Sequence, residues 1–375
     1  MIHVTEHINH TQGKLLFKVA KLMPVLFIVL SLVVCNVHYA QAEDIKPLPP
    51  LPIFPENPST PEKVELGKKL FFDRRLSGDG TMACATCHNP ETGYSDALPI
   101  SLSYPTTKNW RNASAVINLA YNNVFFWDGR ATTLEEQALF PMMSAFEMNQ
   151  NLDFVEEELK EVPEYVRAFR DVFGGEITRE RIGMALAAFQ RTIVSDNSPL
   201  DRYLKGDMNS LSGLQKAGYD IFRGKGNCIA CHNGPNLTDN RFYNLGVPDN
   251  PDVVNDPRVA ATRRFTAKVS GYKAYRTLSE DPGRYLVTKE RSDWKAFKTP
   301  SLREVAATGP YMHNGIFETL KDAIEFFNRG GGDDPNKTPL LKPLQLTDDE
   351  KGALEAFLKE ALTGDLVIVK MPEVP

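Results

Sequence analysis

Two copies of Cys-x-x-Cys-His, Cys84-Ala-Thr-Cys87-His88 and Cys228-Ile-Ala-Cys231-His232, constrain this 375-residue chain more than any other feature. Two thiols three positions apart can add to the two vinyl groups of one haem. The histidine that follows at once then reaches the iron as proximal ligand. A Cys₄ zinc site would draw on the same thiols, but the pairs stand 141 residues apart and zinc gives no reason for a histidine after each. A redox dithiol leaves those histidines unexplained as well. The chain is therefore read as carrying two covalent c-type haems, one on each motif.

The first forty-two residues read as a cleavable export signal: Lys14, Lys18 and Lys21, an apolar run from about Leu22 to Cys35, and Ala40-Gln41-Ala42 as a small-x-small cleavage site. The run is shorter than the roughly 20 residues of a spanning helix. The expected compartment is the periplasm. Export removes Cys35 and four histidines, leaving the four motif cysteines with His88, His232 and His313. Loss of three lysines and Glu6 takes the formal charge from −5 to −7. No basic run suits a nucleic-acid partner, and the acidic balance suits a basic partner such as a small cytochrome.

Length favours two domains. After a Pro-rich leader over 43–57, the expected division is 58–200 and 201–375, each an all-α, cytochrome c-like domain with one haem. The halves repeat: a helix bearing Gly67-x-x-Leu70-Phe71 runs into the first motif, and one bearing Gly218-x-x-Ile221-Phe222 into the second. Capping boxes are expected at Ser59–Glu62, Ser212–Gln215 and Thr347–Glu350. Helical periodicity covers 182–193 and 320–327. Residues 233–297, rich in Pro, Asp, Asn and charge, read as a long loop region with short helices.

Residues 110–148 (WRNASAVINLAYNNVFFWDGRATTLEEQALFPMMSAFEM) and 298–315 (KTPSLREVAATGPYMHNG), with the two motifs, resemble the bacterial dihaem cytochrome c peroxidases and their MauG relatives. The resemblance spans about residues 58–360. It implies a peroxidatic first domain and an electron-transfer second domain. It also makes Glu147 the distal acid that moves a proton between peroxide oxygens, and Gln137 a distal hydrogen-bonding residue. Trp127 becomes the residue between the haems, and Asn112, Thr308 and Pro310 the ligands of one calcium ion.

Two departures stand out. Family members that need reductive activation carry a distal histidine after the first motif; here no histidine lies between His88 and His232. The first haem is therefore expected to be open. The family's sixth ligand to the second haem falls on Phe327, which cannot bind iron, leaving Met312, His313 and Tyr311 as alternatives. Three functions follow. One is a peroxidase that takes electrons for H₂O₂ reduction from a cytochrome c or cupredoxin. The second is a MauG-like oxidase of a partner protein's side chains, and the third a non-catalytic electron carrier. A homodimer is left open.

Overall fold

In the computed structural model, which describes residues 43–375, nine helices of nine residues or more occur among the described residues. They are α1 Pro61–Phe72, α2 Leu134–Met143, α3 Leu152–Lys160, α4 Pro163–Phe173, α5 Arg179–Gln190, α6 Gly213–Arg223, α7 Pro257–Val269, α8 Leu320–Asn328 and α9 Asp348–Ala356. The export segment lies outside the described residues. The boxes at Ser212–Gln215 and Thr347–Glu350 cap α6 and α9. The cap of α1 is Thr60, not Ser59: its hydroxyl accepts from Lys63 N, because Pro61 already has the helical φ and starts the helix one residue later.

The repeat is one of packing as well as of sequence. In the first half α1 crosses α5, and in the second α6 crosses α9. At each crossing a glycine lets the backbones meet. A Cβ on Gly67 would lie 1.9 Å from Ala185 O, and one on Gly218 would lie 2.1 Å from Ala353 O. Four residues along each helix two phenylalanines meet, Phe71 with Phe189 at 5.2 Å and Phe222 with Phe357 at 5.3 Å between centroids. Gly218→Ala is accordingly expected to cost about 1–3 kcal/mol by overpacking. Chemical denaturation checks this, and an unchanged midpoint would contradict the crossing.

Each crossing anchors an apolar cluster. Leu66, Leu70, Phe71, Ile182, Leu186 and Phe189 belong to one, and Phe222, Leu237, Leu354, Phe357 and Leu358 to the other. Residues Ala42–Pro375 nevertheless form one compact unit, and the C-terminal tail returns to the first half. Tyr94 Oη donates to Val367 O at 2.7 Å and accepts from Val369 N at 3.1 Å.

Helices dominate, but two antiparallel ladders modify the all-α expectation: β1 Ser195–Asp196 with β4 Asp365–Leu366, and β2 Phe242–Tyr243 with β3 Phe297–Lys298. Two-residue strands leave no alternation to read. The stretch 233–297 also departs from the loop reading, since it holds α7, at 13 residues the longest helix described. Its buried positions are Val259, Thr262, Arg263 and Ala267, so its inward stripe is half polar and escapes a search for apolar periodicity.

Candidate functional site

The two motif histidines are held alike. His88 Nδ1 lies 3.2 Å from Tyr94 O, and His232 Nδ1 lies 3.2 Å from Leu237 O. A ring that donates from Nδ1 keeps its Nε2 lone pair free for a metal. Both accepting residues sit in the left-handed region, Tyr94 at φ 54° and Leu237 at φ 52°. That conformation is unfavourable for bulky side chains, and both are fully buried, so packing holds the two carbonyls in place. Burial pushes His88 down to about 4 and lowers His232 too, keeping both rings in the neutral, metal-binding form.

The thiols fit haem attachment better than either rival chemistry. Burial pushes Cys84, Cys228 and Cys231 up to about 12. Cys87 is raised by burial and further by the Asp96 and Glu147 carboxylates. A redox dithiol needs the reverse, a lowered pKa. Among the described residues no group of three or more His, Cys, Asp or Glu is placed to hold a metal, so the two pairs do not assemble a Cys₄ zinc site.

Beside the second motif lies a cavity of about 320 Å³, lined by Cys228, Cys231 and His232 and walled by Phe222, Leu320, Ile324 and Leu358. A flat apolar macrocycle suits such a lining. Tyr311, Met312, His313 and Phe327 all face it. The Tyr311 hydroxyl is committed to Val305 O at 3.1 Å. His313 is buried and stacks on Phe297 at 3.6 Å between centroids; burial pushes its pKa down to about 4 against the pull of Asp281. The buried aromatic of α8 is Phe326, while Phe327, read from periodicity as a core residue, turns partly toward the cavity.

The residues of the first site come from the loops around α2. Gln137 projects from α2 with its Oε1 buried and without a hydrogen-bond partner in the protein. An acceptor left so costs about 1–3 kcal/mol, which is tolerable where a ligand supplies the missing donor. Glu147 follows α2 after a short turn; its Oε1 accepts from Asn109 Nδ2 at 3.3 Å, and Asn109 also donates to Ser101 Oγ at 2.7 Å. The Glu147 carboxylate, like that of Asp96, acts on the Cys87 thiol and raises it.

Trp127 is tied to residues around the second motif. Its Nε1 donates to Asn112 O at 3.0 Å, its carbonyl accepts from Lys298 N at 2.8 Å, and its ring meets His313 edge-on at 6.5 Å. It lines the cavity of the second motif. Asn112 Nδ2 donates to Leu98 O at 2.8 Å and to Pro310 O at 3.4 Å. The Thr308 hydroxyl donates to Val305 O at 3.3 Å, a bond that does not involve its backbone carbonyl.

Several groups escaped the reading of the sequence. Arg111 is buried with Asp128 at 2.6 Å and Asp281 at 2.7 Å. Arg303, on the cavity wall, makes two bonds to buried Asp201 at 2.7 and 2.8 Å. Lys298 lines the same cavity, and burial pushes it down to about 8 against the pull of Asp239. The strings WRNASAV, WDGR and KTPSLR contain Arg111, Asp128, Lys298 and Arg303, but Asp281 and Asp201 are too distant in sequence to be matched to them.

Comparison with known proteins agrees with these features. A model of the di-haem cytochrome c peroxidases matches residues 61–209. Cytochrome-c peroxidase IdrP1 of Denitromonas iodatirespirans is 45% identical over 352 residues, covering 91% of this chain and 94% of that protein. Methylamine utilization protein MauG of Methylorubrum extorquens is 38% identical over 85% of this chain and 83% of that one. The crystal structure of a MauG-like protein associated with microbial copper homeostasis matches with a TM-score of 0.70 at 28% identity, covering 85% of this chain and 93% of its own.

Proposed function

From the premise that this chain belongs to the di-haem cytochrome c peroxidase family, we propose that it is a periplasmic peroxidase. It reduces H₂O₂ to two waters with two electrons and two protons, the electrons coming from a small redox protein. Cys84, Cys87 and His88 would hold one haem and Cys228, Cys231 and His232 the other, and when bound the two haems would supply redox-active iron. The protein's own groups do the rest. Glu147, held by Asn109, takes the proton from one peroxide oxygen and returns it to the other as the bond between them breaks. Gln137 Oε1 accepts a hydrogen bond from peroxide or water. Trp127, its indole N–H fixed on Asn112 O, stands between the two sites. The observation that carries the reading is the buried Gln137 Oε1, which has no hydrogen-bond partner among the described residues.

Calcium at Asn112, Thr308 and Pro310, the latter two through their backbone carbonyls, belongs to the same proposal, since amide and carbonyl oxygens suit that hard cation. The absence of histidine between His88 and His232 leaves the first site without an imidazole from that stretch. This favours a haem open to peroxide in the resting, fully oxidised protein. Electron paramagnetic resonance of the ferric holoprotein is expected to show a high-spin haem; two purely low-spin signals would contradict the open site. The same absence keeps a MauG-like oxidase of partner-protein side chains as the second reading. Steady-state oxidation of a reduced small cytochrome by peroxide separates the two, because the MauG-like enzyme would turn it over poorly.

A further inference from the structure

The chain has three tryptophans, and a run of ring, guanidinium and apolar-cluster contacts includes all three. At its inner end Trp127 meets His313, which stacks on Phe297. The Arg111 guanidinium stands 5.6 Å from the Phe297 ring and 4.3 Å from the Trp110 ring. Trp110 shares an apolar cluster with Tyr272, Tyr275 and Trp294. At the outer end Tyr272, Tyr285 and Trp294 form a closed triad, with centroids 5.8, 6.0 and 5.1 Å apart, and all three rings are partly exposed.

The segment that carries this outer triad is opposite in charge to the molecule, and its Arg264, Lys268, Lys273, Arg276, Lys289 and Arg291 are exposed. Residues 257–295 hold ten Lys and Arg against four Asp and Glu, a local +6 in a chain of −5. Arg291 lies 5.2 Å from the Trp294 ring, and Lys268 and Arg276 lie 5.8 and 5.1 Å from Tyr275. Val269 and Val287 are exposed in the same stretch. An apolar and aromatic centre with a charged rim is the anatomy of a docking surface, and a rim of one sign steers a partner of the other.

We propose that the Tyr272–Tyr285–Trp294 face is the port where an acidic one-electron carrier docks and passes electrons along the tryptophan line toward Trp127. This rests on the peroxidase reading and names its partner class, opposite in sign to the one suggested by net charge. Each H₂O₂ takes two electrons, so two reduced carriers dock in turn, each losing one, while the two protons come from solvent. An electron leaving Trp294 inward is replaced by one from the carrier. The Trp294 Nε1–H donates to Glu280 Oε1 at 3.0 Å, and that carboxylate, whose other oxygen pairs with Lys295 Nζ at 2.9 Å, stands against the ring while it bears positive charge. Trp127, bonded to a carbonyl, has no base to take its proton and keeps it.

The test titrates holoprotein with a small acidic cytochrome c and, separately, a basic one. At low salt the acidic protein is expected to bind roughly tenfold or more tightly than the basic one, with the gap closing at about 0.15 M ionic strength. Lys268→Glu, Arg276→Glu and Arg291→Glu together should abolish that preference at an unchanged melting temperature. Trp294→Phe should leave the affinity for the acidic cytochrome intact and slow its oxidation after a peroxide pulse roughly tenfold, a loss in electron passage rather than docking. Tighter binding of the basic cytochrome, no response to charge reversal, an unslowed Trp294→Phe protein, or attachment to anionic vesicles in place of the acidic cytochrome overturns the port. Peroxide consumption with a small uncharged dye is the separate check: its absence sinks the peroxidase reading, whereas consumption without acidic preference sinks the port alone.

Discussion

Glu147→Gln is expected to lower the turnover of peroxide by about 10²–10⁴-fold, the range over which a positioned proton carrier acts. The amide keeps the size of the side chain and its acceptor oxygen, so the contact with Asn109 Nδ2 survives. Only the capacity to take a proton from one peroxide oxygen and return it to the other is lost. Haem content and melting temperature should match the wild type, because Glu147 is partly exposed and forms no ion pair among the described residues. Asn109→Ala should produce a smaller loss, since it frees the carboxylate without removing it. Steady-state peroxide consumption with a reduced donor measures both. An unaffected rate in Glu147→Gln would favour the electron-carrier reading.

Asp201→Ala is expected to destabilise the protein by about 3–5 kcal/mol, the cost of leaving a buried charge without its partner. Arg303 and Asp201 have side chains 2% and 1% exposed, and they are joined by two bonds. Asp201 also accepts from Ser198 N at 3.0 Å and from Leu48 N at 3.2 Å, so it ties the Pro-rich leader to the wall of the second cavity. Burial pushes this carboxyl up, but Arg303 more than offsets that and holds it at about 2, below its ordinary 3.8. An unfolded chain therefore binds the proton first. The contribution of Asp201 is fully present above pH 3.8 and is lost as the pH falls toward 2. Asp201→Asn should remove that part of the acid dependence. Denaturation across this range checks the sign, and a variant whose acid limb matches the wild type would contradict it.

What could be read from the sequence was what is local in it. The haem motifs are contiguous, and the caps at Ser212 and Thr347 need only four residues each. The Gly-x-x-[Leu/Ile]-Phe repeat states its own register, although the chain alone does not show that Gly67 and Gly218 face Ala185 O and Ala353 O. The roles proposed for Glu147, Gln137 and Trp127 rest on family likeness, since a lone glutamate, glutamine or tryptophan has many commoner uses. Interactions closing over long stretches were invisible: Arg111 reaches Asp281 across 170 residues and Arg303 reaches Asp201 across 102. The carbonyls that orient His88 and His232 come from Tyr94 and Leu237, residue types that give no hint of a left-handed backbone. α7 was missed because Thr262 and Arg263 interrupt its inward stripe, although Asp256-Pro257 is a regular helix start. The basic face around Trp294 was hidden by the net charge, which averages it against an acidic remainder.

Every role assigned above depends on two porphyrins joined to the polypeptide through Cys84, Cys87, Cys228 and Cys231. The mass of the purified, fully denatured protein tests this most directly. The account predicts the polypeptide plus two porphyrins that remain attached under denaturing conditions. A mass equal to that of the bare polypeptide would contradict it.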